Sequence, residues 1–254
     1  IVSYASNDFI NIPMGVYPEK LQVLMKVGGD IYIRYDATGF LFKLVALDDS
    51  IATFRRIDKT VNFNYCIGSF NFINGNDIYN YGGYGFWRNN GLIRKYDWKG
   101  NEWSVLKTNE EIPEQIFAIN SAWFDHKHQF LYTPFRVDVH AGLKNNDFQN
   151  GKITPNAYKF DLKTNDWSVL GKTNESTTKL MKDATTYLST DRGLIVLTFE
   201  FLYLFDYEKN KIFKLNDNMI AQWYLRTFSR NAIFYANNKL YTGSRENGKI
   251  DSLD

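Results

Sequence analysis

Residues 95–106 read KYDWKGNEWSVL and residues 159–170 read KFDLKTNDWSVL. Aligned without a gap, they share Lys, an aromatic, Asp, Lys, Asn, Trp, Ser, Val and Leu. A weaker copy at 204–215, LFDYEKNKIFKL, keeps the aromatic-Asp pair and puts Ile212 where the others have Trp. Each copy predicts a hairpin. Phe160-Asp161-Leu162 ends one strand, Thr164-Asn165 forms the turn, and Trp167 opens the next strand. Asn and Asp tolerate the left-handed backbone angles such a turn demands, and the indole supplies a broad apolar plate.

Trp103, Trp167 and Ile212 are spaced 64 and 45 residues apart. Four short strands with their turns occupy roughly 45–50 residues, the size of one propeller blade. The longer interval implies an insertion within one blade. Outside the copies, short runs rich in Val, Ile, Tyr, Phe and Thr alternate with Gly, Asn and Asp. This is the pattern of antiparallel strands joined by tight turns, and helical periodicity is scarce. The expected fold is an all-β propeller of five four-stranded blades. The blades fall at 20–58, 66–107, 117–171, 183–215 and 231–254, about 51 residues per blade over 1–254 as one domain. The last blade shows three strands. Ile1-Val2-Ser3-Tyr4-Ala5 is the expected fourth, closing the ring and covering an edge. A start at Ile1 in place of methionine reads as a trimmed or processed end.

Composition narrows the function. Lys plus Arg is 30 against 28 for Asp plus Glu, a net charge of +2 that gives no field for nucleic acid. No apolar run approaches the ~20 residues of a membrane span. Cys66 is the one cysteine, so an internal disulfide and a cysteine-built metal site are both excluded. No phosphate-binding loop and no nucleotide fingerprint occurs.

Asp77-Ile78-Tyr79-Asn80-Tyr81-Gly82-Gly83 precedes the first hairpin. A strand ending in Gly-Gly, then an aromatic-Asp strand and a Trp about twenty residues on, resembles the kelch repeat, whose family forms β-propellers. The specific match covers residues 77–106. The second copy has Tyr132-Thr133-Pro134 in place of the glycines, and the third has Thr198-Phe199-Glu200. Gly82-Gly83-Tyr84-Gly85-Phe86-Trp87 is also similar to a motif of large kelch-containing proteins of Bacteroidetes bacteria. The resemblance implies an extracytoplasmic binding or sensory module, secreted, periplasmic or at the cell surface. Such a module is expected to recognise a protein or carbohydrate through the loops that join its second to third strands (b–c) and successive blades (d–a).

The longest connections are b–c loops, 84–90 and 137–155, and loops of that length in compact domains are usually functional or disordered. The expected contact residues are Phe86, Trp87 and Arg88 in the first, with Arg136 and His140 flanking or within the second. Trp and Arg dominate binding hot spots and stacking platforms. The alternative role is a carbohydrate-active enzyme, a hydrolase or a sugar epimerase, which needs convergent carboxylates at the axis. Asp30, Asp77, Asp183 and Glu200 lie near inner strands, but Asp30 and Asp77 fall in turns at the other end. His126-Lys127-His128 has metal-pair spacing but reads as an exposed turn. A copper radical oxidase on a kelch scaffold needs a Tyr–Cys crosslink, and alternation points Tyr65 and Cys66 to opposite faces. The expectation is therefore no cofactor, no metal and no catalytic residue, in a monomer that inserts in no membrane.

Overall fold

The computed structural model describes residues 8–13, 22–35, 38–59, 66–85, 88–110, 122–133, 136–138, 152–154, 156–172, 180, 184–198, 201–209, 211–215, 231–236, 239–244 and 250–253. The chain divides into two compact units, Ile1–Lys107 with Glu114–Ile119, and Thr108–Pro113 with Asn120–Asp254.

The first unit holds two large sheets. Strands β1 (Phe9–Pro13), β2 (Gln22–Val27), β3 (Asp30–Tyr35), β4 (Leu41–Leu47) and β5 (Ile51–Arg56) form one, in the order β1-β5-β4-β3-β2. Then come β6 (Phe70–Asn74), β7 (Asp77–Tyr81), a small ribbon of β8 (Tyr84–Gly85) and β9 (Arg88–Asn89), β10 (Ile93–Asp97) and β11 (Glu102–Val105). The second sheet has the order β11-β10-β7-β6. Strand alternation assigns the two faces of β3. Tyr32 joins Met25, Val27, Leu41, Ile78, Tyr96 and Trp103 in the seam between the sheets. Ile33 and Tyr35 pack on the opposite face with Phe42 and Phe54, over Ile10 and Ile12 of β1.

The second unit follows the same plan. Strands β12 (Trp123–Asp125), β13 (Phe130–Thr133), β16 (Asn156–Asp161) and β17 (Asp166–Lys172) form a sheet in sequence order. β14 (Arg136–Asp138) and β15 (Lys152–Thr154) make a separate ribbon in the β13–β16 connection. A further sheet holds β18 (Ala184–Ser189), β19 (Leu194–Thr198), β20 (Leu202–Asp206) and β21 (Lys211–Leu215). β22 (Asn231–Ala236), β23 (Lys239–Ser244) and β24 (Ile250–Leu253) form a three-stranded sheet. β19 is buried throughout. Leu194 and Val196 face the preceding sheet with Trp123 and Tyr132, and Ile195 and Leu197 pack on the other side.

The repeated hairpins are the outer pairs of two sheets, in matching register. Tyr96 opposes Trp103, and Phe160 opposes Trp167. Asn101 and Asn165 take left-handed φ angles of 56° and 61°. The carboxylates of Asp97 and Asp161 accept the amides of Lys99 and Lys163 at the turns.

The five-blade expectation is corrected. The described residues form four blades of four or more strands, and the last sheet has three strands. The N-terminal residues seen pairing are Phe9–Pro13, and they lie along β5 at the edge of the first sheet. The apolar alternation of Ile10 and Ile12 seats them there, over the Ile33–Phe42–Phe54 cluster. Residues 1–5, the expected closing strand, lie outside the described residues. Among those residues no helix is long and apolar enough to cross a membrane.

Candidate functional site

The connection from β7 to β10 begins with two glycines at φ 68° and 96°. A Cβ on Gly83 would lie 3.0 Å from both the Cys66 Cβ and the Ile67 carbonyl oxygen, so only glycine fits. This tight passage lets Tyr84 exchange backbone hydrogen bonds with Ile67, 2.7 and 2.9 Å long. The chain then turns back on itself, with Tyr84 opposite Asn89 and Gly85 opposite Arg88.

A buried polar cluster holds the base of this ribbon. Asn71, Asn80 and Arg94 are direct cross-strand neighbours on β6, β7 and β10. Arg94 Nη1 donates to Asn80 Oδ1 (3.1 Å) and to the Gly82 carbonyl (3.3 Å), and its Nη2 donates to Asn90 Oδ1 (3.0 Å). The Asn90 amide donates in turn to the Gly83 carbonyl. Asn80 donates to the Ser69 hydroxyl, and the Cys66 thiol donates to Asn80 Oδ1 at 3.6 Å. From the first sheet, fully buried Arg34 donates to Cys66 Sγ at 3.5 Å, with its guanidinium 5.7 Å from the centre of the Trp103 ring. Burial holds the Arg94 pKa below the ordinary arginine value; Cys66 opposes this and Arg34 adds to it. Two guanidiniums thus sit in one seam, and Arg94 ties both ends of the connection, at Gly82 and Asn90, to Asn80 of the sheet.

At the opposite end of the same seam lies a cleft of about 360 Å³ lined by Val27, Gly28, Gly29, Asp30, Tyr32, Asn76 and Trp98. Trp98 follows the β10 Asp, packs 5.5 Å from Tyr32 and donates its indole N–H to the Asn76 carbonyl. Asp30 pairs with Lys43 at 2.7 Å, and that hydrogen bond lowers its pKa against a smaller upward push from burial. Asp77 pairs with Lys95 in the same way. The sequence places these two acids in turns; they open β3 and β7 just after the turns and are engaged by lysines of the neighbouring strands β4 and β10. Asp183 and Glu200 lie outside the described residues.

Of the expected contact residues, Arg88 is placed by its backbone in β9 and Arg136 in β14, opposite Thr154. Phe86, Trp87 and His140 lie outside the described residues, as does Tyr65. Cys66 is buried, just ahead of β6. His126 and His128 part company: His126 packs edge-on to Phe124, while His128 meets Asp125 and Glu208. Sequence reading missed Arg34, Arg94 and Trp98. The first two carried a signal, because each arginine shares a strand face with a buried tyrosine two residues away, Tyr32 or Tyr96.

Compared with known proteins, the sequence matches no family profile and no curated protein. The solved structure of YjhT is similar in fold, with a TM-score of 0.60 and 15% identity over 89% of this chain and 72% of that one. That likeness shows the fold alone, an all-β propeller, of which the described residues form four blades of four or more strands.

Proposed function

We propose that the chain is an extracytoplasmic binding or sensory module that recognises a protein or carbohydrate partner with the b–c and d–a end of its blades. The observation that carries this reading is the β8–β9 ribbon, which continues past its blade from a base braced by Arg94. A pre-organised projection loses less entropy on binding than a free loop does. A second ribbon, β14–β15, occupies the b–c connection of the third blade. On this reading Phe86, Trp87, Arg88, Arg136 and His140 make the contacts. The chain works as one kelch-like, monomeric domain of the Bacteroidetes type, its ring closed by the N-terminal residues.

The second reading is a carbohydrate-active enzyme. The cleft beside Trp98 favours a sugar, because an aromatic plate next to a carboxylate and an amide suits a hydroxylated ring. A glycan-array screen of wild type and Trp87→Ala separates the two. Under the ribbon reading, wild type binds and the variant binds at least about tenfold more weakly. Equal binding by both removes Trp87 from the site and turns attention to the cleft. Binding by neither removes carbohydrate as the ligand class.

A further inference from the structure

We propose that Asp125, His128 and Glu208 form a site for a divalent transition-metal ion of the Zn²⁺ kind, joining the third blade to the fourth. Asp125 ends β12, His128 lies in the β12–β13 turn, and Glu208 comes from the β20–β21 turn. Nδ1 of His128 lies 2.6 Å from Oδ2 of Asp125 and 3.3 Å from Oε1 of Glu208. All three ligand atoms fall within 4.8 Å of one another. A tetrahedral ion with bonds of ~2.0–2.2 Å holds its ligand atoms about 3.3–3.6 Å apart. The His128–Glu208 spacing already meets that. The His128–Asp125 contact lengthens when the ion replaces the proton the pair shares.

The surroundings favour a metal over a simple ion pair. The Asp125 side chain is only 5% exposed. Its Oδ1 accepts the backbone amides of Lys127 (2.9 Å) and His128 (3.2 Å), which leaves Oδ2 aimed at the imidazole. Hydrogen bonds of this kind orient ligating carboxylates in metal sites. The His128 ring stacks on Phe130, and this fixes its plane. Tyr207 lies flat on Trp123, 5.3 Å away at 6°, so Glu208 departs from an anchored backbone. His128 and Glu208 are 40% and 49% exposed, which lets an ion enter and leaves a coordination position for water. One imidazole with two carboxylates suits Zn²⁺, Co²⁺ or Ni²⁺; Ca²⁺ and Mg²⁺ prefer all-oxygen sets. Lys127 Nζ, 3.9 Å from Glu208, is the competing cation, and its side chain is 77% exposed and able to swing away.

The test is calorimetric titration of the chelator-stripped full chain with ZnCl₂, with Co²⁺ absorption in parallel. Wild type is expected to take up one ion with a Kd of about 10 μM or tighter. Glu208→Gln and His128→Ala should bind at least about tenfold more weakly, and His126→Ala should match wild type. Zinc should raise the Tm of wild type and leave that of Glu208→Gln unmoved. Co²⁺ should give visible bands in wild type that Glu208→Gln lacks. No saturable uptake by wild type below about 1 mM overturns the proposal. So does zinc binding that survives Glu208→Gln or disappears in His126→Ala. If His128→Ala does not fold, the half-exposed Glu208 variant decides alone.

Discussion

The two seams, one in each unit, follow one plan and differ in where the indole sits. In both, the c–d turn inserts the aromatic that follows an Asp against a tyrosine of the preceding sheet. Trp98 meets Tyr32, and Tyr207 meets Tyr132. In the first seam the large plate is Trp103, from the last strand of the following sheet. It is 1% exposed, and its indole N–H reaches back 2.9 Å to the Gly39 carbonyl of the first sheet. In the second seam that strand carries Ile212, 38% exposed. The plate is Trp123, from the opening strand of the preceding sheet. It is sandwiched with Tyr132 and Tyr207, and its N–H reaches forward 2.7 Å to the Thr190 carbonyl. The repeat fixes the scaffold and leaves each seam free to place its anchor. Where the anchor is at the outer strand, as in the first seam, polar residues occupy one end and a cleft the other.

Truncating the anchors gives the largest effect. Trp103→Ala and Trp123→Ala should each cost about 3–5 kcal/mol in urea unfolding, while Ile212→Ala should cost under about 1 kcal/mol. Equal losses at Trp103 and Ile212 would break the comparison. Next comes the polar end of the first seam. Arg94→Met leaves Asn80 Oδ1, the Gly82 carbonyl and Asn90 Oδ1 short of a donor, at a cost of about 2–3 kcal/mol. The Tyr84 amide, bonded to Ile67, should exchange faster with solvent in that variant, and Arg94→Lys should not restore it because the fork is lost. In the fourth blade the matching strand position is Tyr203, so no such dependence is expected there.

The smallest effect is a pH dependence in the second seam. Burial pushes the Asp206 carboxyl up, but the Lys209 amide and ammonium and the Arg192 charge outweigh it, and the pKa lies below the ordinary 3.8. Its carboxylate therefore adds stability that is fully present above about pH 4 and fades as pH falls through the lower, folded-state value. Asp206→Asn should lower stability slightly at neutral pH and flatten the acid limb, so that urea unfolding of the variant and wild type converges as pH falls through that window.

Much of the scaffold was legible because strand period and turn chemistry are local. The outer hairpins, the left-handed Asn101 and Asn165, and the strands of all four blades fall where the residues predict them. The blade count was not legible. Phe9–Pro13 is short, ends in Pro13, and finds its partner only at Ile51–Arg56, so nothing in its own sequence announces a fifth strand on the first sheet. The ribbons have strands of two or three residues, too short to show a period. Arg34 and Arg94 drew no notice in the sequence, although each shares a strand face with a buried tyrosine, and the structure buries both. His126 and His128 sit in a turn, as the sequence suggests, but nothing local shows that His128 takes a partner from Glu208 in another blade.

A small detail at the outer strand of the third blade carries a consequence for solubility. The Asn109 side chain accepts the Trp167 backbone N–H at 2.7 Å and donates to the Trp167 carbonyl at 3.0 Å. One primary amide thus imitates the main chain of an absent neighbour. At that point another polypeptide finds no free donor–acceptor pair to template on, and lateral fibre growth loses its foothold.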